Sequence, residues 1–99
     1  SVRASLAGNG QELVIQVDGR FDFSAHQEFR DAYESASQVR KYIVDLGGAT
    51  YLDSSALGML LLLRDHAGGD HSEISITNCN DDVRKILAIS NFEQLFTIQ

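Results

Sequence analysis

Asp53, Ser54 and Ser55 put one carboxylate and two hydroxyls side by side between two apolar segments of different character. Before them, Tyr42-Ile43-Val44-Asp45-Leu46 is apolar and β-branched and reads as a buried strand. After them, Ala56 to Leu63 carries no polar side chain and reads as a helix that closes on Arg64 and Asp65. Asp and Ser favour helix N-termini because their oxygens accept from backbone N–H groups that have no partner within the helix. Two serines at that point stand at the positive end of a helix dipole, where an added negative charge is best tolerated. From the residues alone, the chemistry on offer is a well-capped helix. No histidine lies near Ser54 in sequence to activate it as a nucleophile, and there is no glycine-rich phosphate loop. A nucleophilic serine is thus left open but not argued by the sequence, and no enzymatic activity is expected.

The elements that must position these groups follow from the pattern on either side. Val2 to Ala7 and Gln11 to Asp18 are strand candidates joined by Gly8-Asn9-Gly10, residues that accept positive φ, so an opening antiparallel hairpin is expected. Phe21-Asp22-Phe23 leads into Ser24 with Gln27 three residues later, the spacing of a capping box. Ala25, Phe29, Ala32, Tyr33 and Ala36 then recur at helical spacing. A strand over 41–46 precedes the central motif, whose helix runs to about Ala67. Gly68-Gly69-Asp70 reads as a C-cap and turn. Glu73 to Thr77 alternates as a strand. Asn80 is placed to cap a helix from Asp81 to about Ser90 with Val83, Ile86 and Leu87 inward, and Phe96 to Ile98 suits a last short strand.

Strands alternating with helices after a hairpin predict a single α/β domain over residues 1–99. Its sheet is mixed and mostly parallel, with four to five strands flanked by helices. Sites in such sheets form beyond the carboxyl ends of the parallel strands. Asp22 follows one strand and Asp53-Ser54 follows the next, so the two are expected on one edge. The central helix is apolar around most of its circumference, and some of its side chains must therefore stay exposed. Met59, with a flexible thioether suited to adaptable contacts, is the residue expected to face outward.

Composition narrows the partners. Fourteen acidic against eight basic residues give a net charge of −6, which disfavours nucleic acid and anionic membrane. The apolar run of the central helix is far short of the roughly 20 residues a membrane span needs. A single cysteine, Cys79, permits no internal disulfide and fits a reducing cytoplasm. His66, Asp70 and His71 lack a ligand spacing, so no metal is expected, and no motif calls for a cofactor.

Asp53-Ser54-Ser55-Ala56-Leu57-Gly58, preceded by Val44-Asp45-Leu46 and Tyr51-Leu52, resembles the signature of STAS domains. It is most similar to the bacterial anti-sigma factor antagonists, whose usual form is Asp-Ser-Ser/Thr-Gly-Leu-Gly. Gly19-Arg20-Phe21-Asp22 is similar to the family's segment of glycine, variable residue, apolar residue and aspartate after an early strand, and the order of elements extends the likeness over nearly the whole chain. Ala56 departs from the family's usual glycine; alanine keeps the site small and forms helix better. The resemblance implies a phosphorylation switch at Ser54. Docking would then fall to Asp22, Asp53, Ser54, Ser55, Ala56, Leu57 and Gly58, with Met59 added on the ground given above. It also implies two partners, a kinase-type anti-sigma factor and a protein phosphatase, and a monomer when free. A STAS adaptor for another signalling enzyme is a second reading. A nucleotide- or small-anion-binding STAS domain is a third, and the lack of a basic residue near the motif in sequence counts against it.

Overall fold

The computed structural model describes residues 1–99. At the start of the chain Gly8, Asn9 and Gly10 all take left-handed backbone, with φ of 56°, 61° and 81°. The turn closes as Gly10 N–H donates to the Ala7 carbonyl at 3.0 Å. It joins β1 (Val2–Ala7) to β2 (Glu12–Phe21) as an antiparallel pair. Helices and strands then alternate: α1 (His26–Glu34), β3 (Lys41–Leu52), α2 (Ser54–His66), β4 (Ile74–Thr77), α3 (Asp81–Ile89) and β5 (Thr97–Ile98). The sheet order is β1-β2-β3-β4-β5, and every pairing after the hairpin is parallel. The expected mixed, mostly parallel α/β sheet with its opening hairpin is the fold, with five strands.

Because the strand order never reverses, right-handed crossovers carry all three helices to one face of the sheet. Burial follows that rule. Leu13, Ile15, Val17, Val44, Leu46 and Ile76 are buried, whereas Val14, Gln16, Ile43 and Asp45 between them are only half-covered. Helix α1 packs Phe29, Ala32 and Tyr33 inward. The Phe29 ring lies 5.1 Å from Phe21 and 5.8 Å from Tyr33. Asn80 caps α3 as expected, its side chain accepting from Val83 N–H at 2.8 Å, and Val83 and Leu87 are buried while Ile86 is half-buried. No helix is long and apolar enough to cross a membrane.

Two strands run past the ends expected from sequence. β2 continues from Asp18 to Phe21, and β3 from Leu46 to Leu52. Gly19 makes the extension of β2 workable: its φ of +80° is open to glycine at little cost, and the ladder shifts register between Gly19 and Arg20. Pairing then resumes as Arg20 opposite Tyr51 and Phe21 opposite Leu52. The consequence reaches the site, since Asp22 and Asp53 each follow one member of the same cross-strand pair.

Two further expectations are corrected. Ser24 does not open α1 as a capping box. A short 3₁₀ turn, Phe23–Ala25, intervenes with Asp22 as its cap, and Gln27 donates to Asp31 at 2.8 Å instead of reaching back. Met59 does not face outward: it is 4% exposed. With Ala56, Leu60 and Leu63 it forms the buried i, i+3, i+4, i+7 stripe of α2. In a helix apolar around most of its circumference, composition does not reveal which stripe faces the sheet. The outward residues are Leu61 and Leu62, 42% and 52% exposed. Met59→Ala should therefore cost about 2–5 kcal/mol. Leu62→Ala should stay within about 0.5 kcal/mol of the parent. Urea unfolding of the two variants measures both.

Candidate functional site

The site is built at the carboxyl ends of β2 and β3, and the two ends are made alike. Asp53, extended at φ −122° and ψ −174°, caps α2 by accepting from Ser55 N–H at 3.0 Å and Ala56 N–H at 3.1 Å. Ser55 Oγ also donates to the same carboxylate oxygen, at 2.6 Å. Asp22 repeats the arrangement: Ser24 donates its N–H at 3.0 Å and its hydroxyl at 2.5 Å to Oδ1. In each case an acid ties the serine two residues on. The residue between them is pushed into solvent. At one end that residue is Ser54; at the other it is Phe23, 69% exposed.

This geometry separates the two serines of the motif. The Ser55 hydroxyl is committed to Asp53 and half-buried, while Ser54, the first residue of α2, is exposed and its hydroxyl has no partner. The backbone N–H groups of the first turn and the helix dipole favour negative charge there. Ala56 is buried in helical backbone, so the position makes no demand for positive φ and alanine sits there without strain. Leu57 is half-buried and Gly58 exposed. The predicted site residues Asp22, Asp53, Ser54, Ser55, Leu57 and Gly58 are thus all brought to one edge at or near the surface. Ala56 and Met59 lie beneath it.

Three residues were missed. Arg20 donates from Nε to Asp22 Oδ2 at 3.2 Å, and its guanidinium carbon lies 4.0 Å over the Tyr51 ring. Tyr51 is 41% exposed, and Phe23 stacks on His26 with ring centroids 5.2 Å apart. The basic residue that the motif lacks in sequence is supplied by Arg20 of the neighbouring strand. The repeated Asp-x-Ser pattern at 22–24 and 53–55 was the available signal for Phe23; nothing local marked Arg20 or Tyr51.

Both acids are held below the ordinary carboxylate value of 3.8. For Asp53 the main cause is the Ser55 hydroxyl, then the Ala56 and Ser55 amides, with the charge of Asp22 opposing. For Asp22 it is the Ser24 hydroxyl and amide, followed by Arg20. A depressed carboxyl contributes stability in full above its unfolded value and loses it as pH falls through 3.8 and below, because the unfolded chain takes the proton first. Asp53→Asn keeps a good capping residue but removes the titration. Denaturation midpoints followed from about pH 6 to about pH 3 should fall less steeply in Asp53→Asn than in the parent.

None of the surface clefts includes a motif residue; the largest, about 290 Å³, lies between α1 and α2 around Arg30, Tyr33, Leu62 and His66. The motif is a raised edge rather than a pocket.

The fold agrees with that of known proteins. The family model described as Mlab, STAS domain matches residues 4–97, and the chain belongs to the STAS-domain family. A STAS-domain containing protein of Pseudomonas aeruginosa (strain UCBPP-PA14) is 68% identical over 99 residues, covering 99% of this chain and 98% of the relative. Among solved structures, the anti-sigma factor antagonist SpoIIAA in its unphosphorylated form superposes with a TM-score of 0.77 at 18% identity, over 100% of this chain and 87% of that one. The phosphorylated form of SpoIIAA, a Bacillus cell fate determinant, gives 0.72 at 17% identity, over 100% and 91%. At such identities these two likenesses concern the fold.

Proposed function

We propose that this chain is a non-enzymatic, phosphorylation-switched anti-sigma factor antagonist. It binds a kinase-type anti-sigma factor through the raised edge when Ser54 is free and releases it when Ser54 is phosphorylated, and a protein phosphatase resets the switch. The observation that carries the reading is the unpartnered, exposed Ser54 hydroxyl at the first turn of α2, beside a Ser55 whose hydroxyl is engaged. A fold shared with an antagonist solved in both phosphorylation states supports it.

The physical mechanism is local electrostatics. Phosphate adds about −1.5 to −2 charge beside Asp53 and Asp22. The helix dipole softens that cost within the domain. It gives no relief at a partner surface fitted to a neutral hydroxyl, where a dianion must be desolvated. Phosphorylation therefore ends docking while leaving the fold in place. Capture from a lysate of the native host, with the unmodified protein as bait and bound chains identified by mass, tests the reading. Recovery of a serine-kinase anti-sigma factor is the expected result. Recovery only of a different class of signalling enzyme would replace it with the adaptor reading.

A further inference from the structure

We propose that Arg20 is the receiving residue for phosphate on Ser54, an inference that rests on the switch described above. The guanidinium already spans the two strand ends. It starts on β2, opposite Tyr51 in the parallel ladder, and lies over the Tyr51 ring, three residues before Ser54. Its hold on Asp22 is slight: a single Nε bond at 3.2 Å in a side chain 64% exposed. The two terminal NH₂ groups donate to no acceptor on the protein, so the bidentate face of the fork is free.

Asp22 does not depend on Arg20. Its Oδ1 takes both donors of Ser24, while Arg20 occupies only Oδ2, so the carboxylate stays bonded if the arginine leaves. A phosphoserine dianion offers twice the charge of Asp22 and three oxygens in the geometry a guanidinium binds best. Of the other cations, Arg3 pairs with Asp18, Arg30 with Glu34 and Arg64 with Asp70; Arg40 and Lys41 stand at the opposite end of β3 from Ser54, and Arg84 and Lys85 lie on α3 after β4, whereas Arg20 stands directly opposite Tyr51. Arg20 therefore moves from Asp22 and Tyr51 to the phosphate. The modification then alters a wider lip than the hydroxyl itself, uncovering Tyr51 and leaving Asp22 without its counter-charge.

The test uses full-length protein with phosphoserine installed at position 54 during synthesis, so it does not depend on which residue a kinase chooses. Phosphorus NMR follows the second ionisation of the phosphate, in the field of Asp22, Asp53, Arg20 and His26. Arg20→Gln should raise the midpoint by about half a pH unit, Arg20→Lys should restore part of the difference, and His26→Gln should leave it in place. Equal midpoints in the parent and Arg20→Gln would overturn the assignment, as would a shift produced by His26→Gln alone. A purely structural Arg20 would move the melting point without moving the midpoint, and that too would overturn it. The functional reading fails separately, if protein from the native host carries phosphate elsewhere than Ser54.

Discussion

Ser54→Asp is expected to weaken partner binding at least tenfold, by roughly 1.4 kcal/mol or more, while Ser54→Ala binds as the parent does. The difference arises because the two variants share a fold but present different charge. Position 54 does not cap α2; Asp53 does, and its bonds to Ser55 and Ala56 survive either change. A carboxylate on the first residue of a helix is favourable within the domain. At the proposed interface it adds a third negative group to Asp22 and Asp53, and like-charge contact or unpaired burial costs several kcal/mol in order of magnitude. Titration calorimetry with the purified partner reads both affinities, and circular dichroism verifies that both variants are folded. Equal affinities in two folded variants would sink the electrostatic account.

Phe21→Ala is expected to produce the largest loss of stability, about 3–5 kcal/mol, against a total of about 5–15 kcal/mol for a domain of this kind. Phe21 is fully buried, packs against Phe29 and pairs across the ladder with Leu52. It is also the residue on which Asp22 is mounted. The variant should lower the urea midpoint sharply, and Phe21→Leu, which keeps most of the apolar volume, should recover much of the loss. A midpoint unchanged by Phe21→Ala would mean that the end of β2 is not anchored as described, and the shared edge of Asp22 and Ser54 would lose its support.

Much of this arrangement was legible in the sequence, for reasons that differ between elements. The hairpin announced itself because Gly8-Asn9-Gly10 can take positive φ at successive positions. The helix cap at Asn80 was equally plain, because its hydrogen bond is local. The common edge of Asp22 and Asp53 was available from topology alone, since parallel strands end on the same side. What could not be read was anything decided by register or by which stripe of a helix faces inward. Met59 was assigned outward although it belongs to the buried stripe, because apolar residues cover most of the circumference of α2 and periodicity had little to discriminate. β2 and β3 overran their expected ends because Gly19 marks a bulge in the ladder rather than a stop. Arg20 and Tyr51 stood within the motif segments but were given no site role, because only the cross-strand pairing that follows the bulge brings them together. At Ser24 the local pattern was real but was read with the wrong partner: the serine donates to Asp22 and does not cap the helix.

We propose Ser54, and not Ser55, as the hydroxyl that receives phosphate. Fragment mass spectra of the protein isolated from its native host, with and without phosphatase treatment, test it most directly. Phosphate confined to the Ser54 side chain is the predicted result, since the Ser55 hydroxyl is held by Asp53 at 2.6 Å. Phosphate on Ser55 with Ser54 unmodified would contradict the account.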